Sequence, residues 1–329
     1  MAGNRRELAI DWALQHVPPR AWSFTAISSD ASFRSYYRMQ HGEQSFVIMD
    51  APPERESVTA FVDITERLRA AELHAPAINA ADLTRGFLLL EDLGDQPYHH
   101  ALTAATADRL FGDATAALLR MQLEVRGTGL PSYDAARLVQ ELALFTDWFL
   151  ARHWHIEPTD NELDAWDQVC ALLVRWALDQ PQLFCHRDFM PRNLLVSAPN
   201  PGIIDFQDAV LGPISYDPVC LFRDAFLSWP AARVDAWLED YRRAGRAAGL
   251  PLPGSPDLWR RTCDFMGVQR HLKVIGIFAR ICYRDGKPAY LEDVPRFFGY
   301  LEQAIARNPE LADLKALLSA WRARRRLAS

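Results

Sequence analysis

The sequence predicts an α+β protein of bilobal form: a small N-terminal lobe of antiparallel strands with one helix, and a larger C-terminal lobe that is mostly helical. Three observations predict this class. Short aromatic and β-branched runs, broken by turn residues, fill the first part of the chain. Apolar residues at helical spacing dominate the chain after about residue 103. The length of 329 residues also exceeds the usual size of a single hydrophobic core.

The N-terminal lobe is predicted to begin with a helix over 5–17, which ends where two prolines follow. Three antiparallel strands come next, at 24–27, 33–39 and 45–49. Beyond a second pair of prolines, apolar residues at helical spacing predict one helix over 56–72. A further pair of strands completes this lobe, which comprises residues 1–94.

The C-terminal lobe, residues 95–329, is predicted to consist mainly of helices, at 103–123, 134–153, 160–179, 231–248, 256–284, 290–306 and 310–327. The stretch 183–210 differs, because short apolar runs alternate there with polar loops, and we expect short strands in it. The polar motifs described below lie in this stretch. The candidate chemistry therefore belongs to a small β insert of a helical lobe.

Composition narrows the classes of function. The net charge of −6 argues against a nucleic-acid-binding protein with a basic surface. Five cysteines without a CxxC pair predict reduced, buried thiols and a reducing compartment. Glu7 and Asp11 interrupt the apolar N-terminal stretch, and no apolar run reaches the roughly 20 residues that span a bilayer. We therefore expect a cytoplasmic protein that binds neither nucleic acid nor membrane, and we expect it to be a monomer.

Two short motifs carry the chemistry. Asp188 and Asn193 belong to the first, and Asp205 ends an apolar run in the second. Phosphoryl transfer needs one carboxylate to orient the attacking hydroxyl and accept its proton, and oxygen ligands to hold Mg²⁺ against the nucleotide phosphates. We predict Asp188 as the catalytic base and Asn193 and Asp205 as Mg²⁺ ligands. An isolated Asp more often caps a turn or a helix, but the combination favours catalysis.

Two segments of the N-terminal lobe are candidates for nucleotide binding. A turn suited to covering phosphates is predicted at Ser29, Asp30, Ala31 and Ser32, because small residues let backbone N–H groups approach a phosphate. The segment 90–94 is typical of a hinge between lobes, in which the backbone at Glu91 and Leu93 would bind adenine. A plain polar turn and an ordinary strand-to-helix connection are the respective alternatives.

Three polar residues near the motifs have roles that the pattern leaves open. Asp208 could contact metal-bound water or the substrate, or it could cap a turn. His186 is predicted to be structural, with its ring hydrogen-bonded to backbone carbonyls in the loop. Asp217 precedes a helical run and is predicted either to cap that helix or to brace the catalytic loop.

The two motifs, His186-Arg187-Asp188 through Asn193 and Ile204-Asp205-Phe206, resemble those of the aminoglycoside phosphotransferase and choline kinase superfamily. The resemblance covers nearly the whole chain and implies a protein-kinase-like fold that uses ATP and Mg²⁺. Segments such as Leu90-Glu91-Asp92-Leu93-Gly94 and Phe189-Met190-Pro191-Arg192-Asn193-Leu194 are similar to bacterial anomeric amino-sugar kinases of cell-wall recycling. That resemblance implies transfer to the C1 hydroxyl of N-acetylmuramate or N-acetylglucosamine.

One departure from the superfamily concerns the third strand. Kinases of this shape usually place a Lys there to hold the α- and β-phosphates, and none occurs at Ile48, Met49 or Asp50. Arg34 or Arg38 on the neighbouring strand could supply the charge.

Candidate substrate residues come from the C-terminal lobe. Glu141 could bind sugar hydroxyls, and Arg192, Arg223 or Arg280 could bind the muramyl carboxylate. Two alternative functions remain at this stage. One keeps the chemistry but changes the acceptor to an aminoglycoside, choline or another small alcohol. The other is a nucleotide-binding regulatory module without catalysis, which the missing Lys would favour and the intact Asp188 disfavours.

Overall fold

The computed structural model describes residues 5–27 and 34–328. The described residues form an antiparallel five-stranded sheet and two small two-stranded sheets among helices, which confirms the predicted α+β class. The strands are β1 (Ser23–Ile27), β2 (Ser35–His41), β3 (Gln44–Asp50), β4 (Ile78–Asp82), β5 (Phe87–Glu91), β6 (Gln182–Cys185), β7 (Leu194–Leu195), β8 (Gly202–Ile203) and β9 (Val210–Pro213).

The α-helices are α1 (Arg5–Leu14), α2 (Thr59–Ala70), α3 (Tyr98–Ala101), α4 (Ala107–Glu124), α5 (Ala135–Leu144), α6 (Asp160–Leu178), α7 (Tyr216–Phe222), α8 (Ala231–Ala247), α9 (Pro256–Asp285), α10 (Val294–Arg307) and α11 (Ala312–Ala328). A π-helix (Phe145–His153) follows α5. Short 3₁₀ turns lie at Pro191–Asn193, Pro288–Asp293 and Pro309–Leu311. No helix among the residues described has the length and apolar character needed to cross a bilayer.

The chain packs as two compact units whose residue ranges differ from those of the predicted lobes. The first unit joins residues 1–126 to the distant segment 191–208, and the second contains 127–190 and 209–329. These units describe packing. The functional boundary after residue 94 remains a prediction.

The first unit is built on the large sheet, whose strand order is β1-β2-β3-β5-β4. Ala9, Trp12 and Ala13 of α1 are buried against one face of it, in a cluster with Met39 and Ile48. Burial of these apolar side chains fixes the helix on the sheet. The hairpin β7–β8 joins the same unit through backbone bonds, since the Ile203 N–H donates to the His74 carbonyl at 2.8 Å.

The second unit is centred on α9, a 30-residue helix. Most of this helix is buried on several sides, so its sequence carries no single apolar stripe. Its neighbour was predicted as one α-helix over 134–153, and this prediction is wrong for the second half. The chain changes there from α5 to the π-helix, in which carbonyls bond one residue further along the chain.

The close approach of α9 to this π-helix depends on Gly276. A Cβ placed on Gly276 would lie 2.3 Å from the carbonyl carbon of Leu144 and 2.6 Å from the backbone nitrogen of Phe145. Both are backbone atoms at the start of the π-helix, so neither can move without shifting the helix itself. The packing therefore requires glycine at this position.

We expect Gly276→Ala to lower the free energy of unfolding by roughly 1–3 kcal/mol or more, because the added methyl group overpacks the interface. Gly299→Ala on α10 is the matched control. No atom lies within 4 Å of a Cβ built there, so this change should be neutral or slightly stabilising. Urea denaturation of both variants measures the difference. Equal stability of the two variants would contradict the interpretation.

Candidate active site

The loop that carries Asp188 follows β6 and is held by the buried side chain of Asp217. The carboxylate of Asp217 accepts the backbone N–H of His186 at 2.7 Å and of Arg187 at 2.9 Å, and the Cys185 thiol donates to it at 3.6 Å. Asp217 has no exposed surface. The predicted alternative in which Asp217 braces the catalytic loop is therefore confirmed.

Asp217 is a charged group at the centre of this brace. Complete burial raises the pKa of its carboxyl group, while His186 and the two N–H donors favour the charged form. Such a buried carboxylate is tolerated only when hydrogen bonds compensate for lost hydration. The loop backbone supplies them, which ties the conformation of the loop to the ionised state of Asp217.

Arg187 precedes Asp188 in a left-handed backbone conformation, with φ of +74°. Non-glycine residues adopt this region seldom, and they persist there where neighbouring contacts hold them. Its guanidinium donates to Glu141 at 2.6 Å, and its carbonyl accepts a bond from the Cys220 thiol at 3.2 Å. These contacts determine the direction in which the chain enters Asp188.

Glu141 lies in a buried ionic network on α5. It receives hydrogen bonds from Arg187, from Lys273 at 3.1 Å and from the Tyr133 hydroxyl. Burial opposes its ionisation, but the charges of Lys273 and Arg187 outweigh burial and lower the pKa of Glu141. The structure therefore assigns Glu141 a contact with the residue before Asp188. Its contact with a sugar hydroxyl remains a prediction.

Asp188 itself is half-buried. Its backbone N–H donates to Nδ1 of His186 at 3.3 Å. The ring of His186 thus bonds the loop backbone, as an acceptor from an N–H group, whereas bonds to backbone carbonyls were predicted. The half-buried Arg187 and the buried Arg270 both interact electrostatically with the Asp188 carboxylate.

The two predicted metal ligands meet within the first unit. Asn193 precedes β7 and Asp205 follows β8, and the register pairs Leu194 with Ile203. This hairpin brings the ligands together: Nδ2 of Asn193 donates to Oδ2 of Asp205 at 3.2 Å. Because the nitrogen of the amide is used in this bond, the groups that the pair can offer to a metal ion are the amide oxygen, Oδ1, and one carboxylate. That donor set fits Mg²⁺, which takes few protein oxygens and completes its shell with phosphate and water.

Asp205 also has a left-handed backbone, with φ of +61°. The Phe206 side chain that follows is fully buried and packs against Phe61 of α2, with ring centroids 4.9 Å apart. Packing of Phe206 thus holds the turn in which Asp205 is exposed. Strained backbone at an exposed carboxylate is typical of functional sites.

Of the two predicted nucleotide-binding segments, the structure describes only the hinge. Ser29, Asp30, Ala31 and Ser32 lie outside the described residues. In the hinge, the Glu91 N–H donates to the carbonyl of Ala77 at 2.8 Å, and Leu93 is buried. The N–H of Glu91 is therefore already bonded within the protein, and adenine binding by the backbone at positions 91 and 93 remains a prediction.

The end of the hinge is tied to β2 by Arg38. Its guanidinium donates to both oxygens of Asp92, at 2.7 and 3.0 Å, and to the carbonyl of Gly94 at 2.9 Å. Asp92 in turn accepts the N–H of Gly94 at 3.0 Å. Burial opposes ionisation of Asp92, but these hydrogen bonds lower its pKa overall. The hinge is thus held by a bidentate ion pair.

Comparison with known proteins agrees with this geometry. The sequence matches the phosphotransferase enzyme family (APH) over residues 23–259. The chain belongs to this family. It is therefore a phosphotransferase, as the two motifs predict.

Curated relatives match over most of their length. The N-acetylmuramate/N-acetylglucosamine kinase of Pseudomonas putida is 54% identical over 95% of this chain and 92% of its own. The enzyme of that name from Neisseria meningitidis is 40% identical over 94% of this chain and 93% of its own.

Solved structures support the fold. Choline kinase from Cryptosporidium parvum has a TM-score of 0.62 at 12% identity, covering 95% of this chain and 98% of that one. The ADP-bound aminoglycoside phosphotransferase APH(2'')-Ib has a TM-score of 0.58 at 13% identity, covering 90% and 98%. The protein-kinase-like fold is confirmed.

The remaining substrate candidates of this phosphotransferase belong to three different segments of the chain. Arg223 is buried and donates to Asp264 at 2.6 Å. Asp208 is exposed, and Arg192 is half-buried in the 3₁₀ turn before Asn193. Their proposed contacts with substrate remain predictions.

Sequence reasoning named Glu141 as a candidate for binding sugar but missed its ion pair with Arg187. It did not name Glu56, the partner of Arg34. In the sequence, Glu56 is an acidic residue before an apolar helical run, and such residues are usually exposed.

Proposed function

We propose that this protein transfers the γ-phosphoryl group of ATP to the C1 hydroxyl of N-acetylmuramate and N-acetylglucosamine. The observation that carries the proposal is the 54% identity, over 95% of the chain, to kinases named for these two sugars. The braced Asp188 loop and the paired Asn193 and Asp205 support it, because catalysis of this transfer depends on positioning and electrostatics. We further propose that the enzyme acts as a cytoplasmic monomer in peptidoglycan recycling.

Asp188 is the proposed base. It would accept the proton of the C1 hydroxyl as the C1 oxygen bonds to the γ-phosphorus and the bond from that phosphorus to the β–γ bridging oxygen breaks, which releases ADP. A hydroxyl at the anomeric carbon is more acidic than an ordinary alcohol. A carboxylate therefore suffices as base, and its position matters more than its basicity.

Asn193 and Asp205 are the residues that would hold Mg²⁺. The ion would neutralise charge on the phosphate oxygens during transfer. Within the protein, the pair would present two oxygen atoms from the open end of one short hairpin. Glu91 and Leu93 would bind the adenine edge through backbone carbonyl and N–H groups.

An acceptor panel tests the function. With ATP and Mg²⁺, we expect N-acetylmuramate and N-acetylglucosamine to be phosphorylated with loss of their reducing ends, because transfer to C1 blocks ring opening. The matched control is the methyl glycoside of N-acetylglucosamine, which lacks only the C1 hydroxyl and should not react. Phosphorylation of the methyl glycoside, or of choline or an aminoglycoside in preference to both sugars, would contradict the proposal.

A further inference from the structure

The first unit has to provide its phosphate-binding cation without lysine. The three lysines of the chain are Lys273, Lys287 and Lys315, and all belong to the second unit. Kinases hold the nucleotide phosphates with a lysine of the third strand, which an acidic residue of the neighbouring helix positions. In this protein an arginine of the first unit would have to take that role.

The register of the sheet identifies the face on which this cation should lie. Tyr36 and Arg38 are two residues apart on β2 and therefore share a face. Arg38 reaches the hinge on this face, through Asp92 and Gly94. Opposite Tyr36 on β3 lies Met49, which is apolar and fully buried and cannot bind phosphate.

Arg34 directly precedes β2, two residues before Tyr36. Its side chain is only 3% exposed and forms an ion pair with Glu56, which precedes α2. It also donates a hydrogen bond to the Tyr36 hydroxyl. The pKa of Tyr36 is raised by burial, lowered by Arg34, and raised further by the charges of Asp205 and Glu56. Arg34, Glu56 and the proposed metal ligand Asp205 thus all interact electrostatically with Tyr36.

Two other arginines near the sheet are less suited to this role. Arg38 is bound bidentately by Asp92 at the hinge. Arg5 binds Asp50, which pairs with Phe87 and therefore lies on the opposite face, with the α1 cluster. Burying a guanidinium such as that of Arg34 costs several kcal/mol, so a buried pair is weak evidence of stabilisation and calls for another role.

We propose that Arg34, positioned by Glu56, is the cation that binds the α- and β-phosphates of the nucleotide. The inference rests on the proposed function and explains how the site works without the usual lysine. A guanidinium presents five N–H donors in a planar fork, so it can bind a carboxylate along one edge and phosphate oxygens along another. Glu56 then corresponds in role to the acidic helix residue of kinases.

The test compares two ligands that differ only in their phosphates. We expect Arg34→Met to raise the dissociation constant of ADP at least tenfold while that of adenosine changes less than twofold, as measured by calorimetric titration. Arg34→Lys should retain more ADP affinity than Arg34→Met. Glu56→Gln should weaken ADP binding several-fold, because Arg34 loses its positioning partner. The control is Arg85→Met, which removes an exposed ion pair with Asp82 and should leave both affinities unchanged.

The possible results of this titration distinguish a failure of the role of Arg34 from a failure of the proposed function. Equal ADP affinity in wild type and Arg34→Met, or an equal loss for ADP and adenosine, would overturn the role of Arg34. If Arg34→Met does not fold, Arg34→Lys and Glu56→Gln are compared with wild type instead. Unchanged ADP affinity in both variants would then overturn the role of Arg34. A wild-type protein that binds no ADP would instead refute the proposed function.

Discussion

Asp188→Asn is expected to lower kcat by roughly 10²- to 10⁴-fold, the usual contribution of a positioned general base. The amide has the same shape as the carboxylate but cannot accept the hydroxyl proton. Because the backbone contacts of the loop are made by Asp217 and His186, the fold should be retained. Sugar affinity should therefore change little, and the loss should appear in kcat.

Steady-state release of ADP and direct titration of the sugar measure the two quantities separately. Asp167→Asn on the exposed face of α6 removes one carboxylate elsewhere in the second unit and should leave both unchanged. Near-normal turnover of Asp188→Asn would remove Asp188 from the mechanism, whatever happens to binding.

Asp217→Asn is expected to damage both turnover and stability. The carboxylate accepts the N–H groups of His186 and Arg187, whereas an amide offers one oxygen and turns an NH₂ donor toward the other N–H. A buried donor without an acceptor costs about 1–3 kcal/mol. The loop would shift to satisfy it, and displacement of catalytic groups by about 1 Å can reduce the rate on the order of 10²-fold.

The two Asp→Asn variants can be distinguished by denaturation. Asp188→Asn should unfold at the same denaturant concentration as wild type, while Asp217→Asn should unfold earlier and also turn over slowly. If Asp217→Asn has wild-type turnover, the hydrogen bonds from Asp217 do not position Asp188. If Asp217→Asn turns over slowly but unfolds at the wild-type denaturant concentration, the free-energy cost assigned to the unpaired amide donor is wrong.

The parts of the site that the sequence predicts are local in the chain. Asp188, Asn193 and Asp205 fall within one short stretch, and the apolar runs between them predict the hairpin that pairs the last two. The five strands of the large sheet are likewise predictable because turn residues separate them. Local propensity and periodicity are sufficient where neighbours in sequence are neighbours in space.

The parts that the sequence does not predict depend on distant partners. The π-helix forms where Gly276 of α9 lies against Leu144, and nothing between residues 134 and 153 signals it. The burial of Glu141 depends on Lys273 and Arg187, which come from other elements. Helical periodicity identifies an apolar face, but it does not identify the charged groups that a different helix will bring to a residue.

The discontinuity of the first unit constrains how such a protein can be inherited. Its sheet, hinge and Arg34 are encoded before residue 127, whereas Asn193 and Asp205 are encoded after the codons for Asp188. A gene cut after Arg126 would yield a polypeptide that retains the proposed hinge but neither proposed metal ligand. A single crossover therefore cannot exchange the first unit alone. A crossover near residue 126 leaves Asn193 and Asp205 behind, and one after residue 208 also transfers residues 127–190 of the second unit.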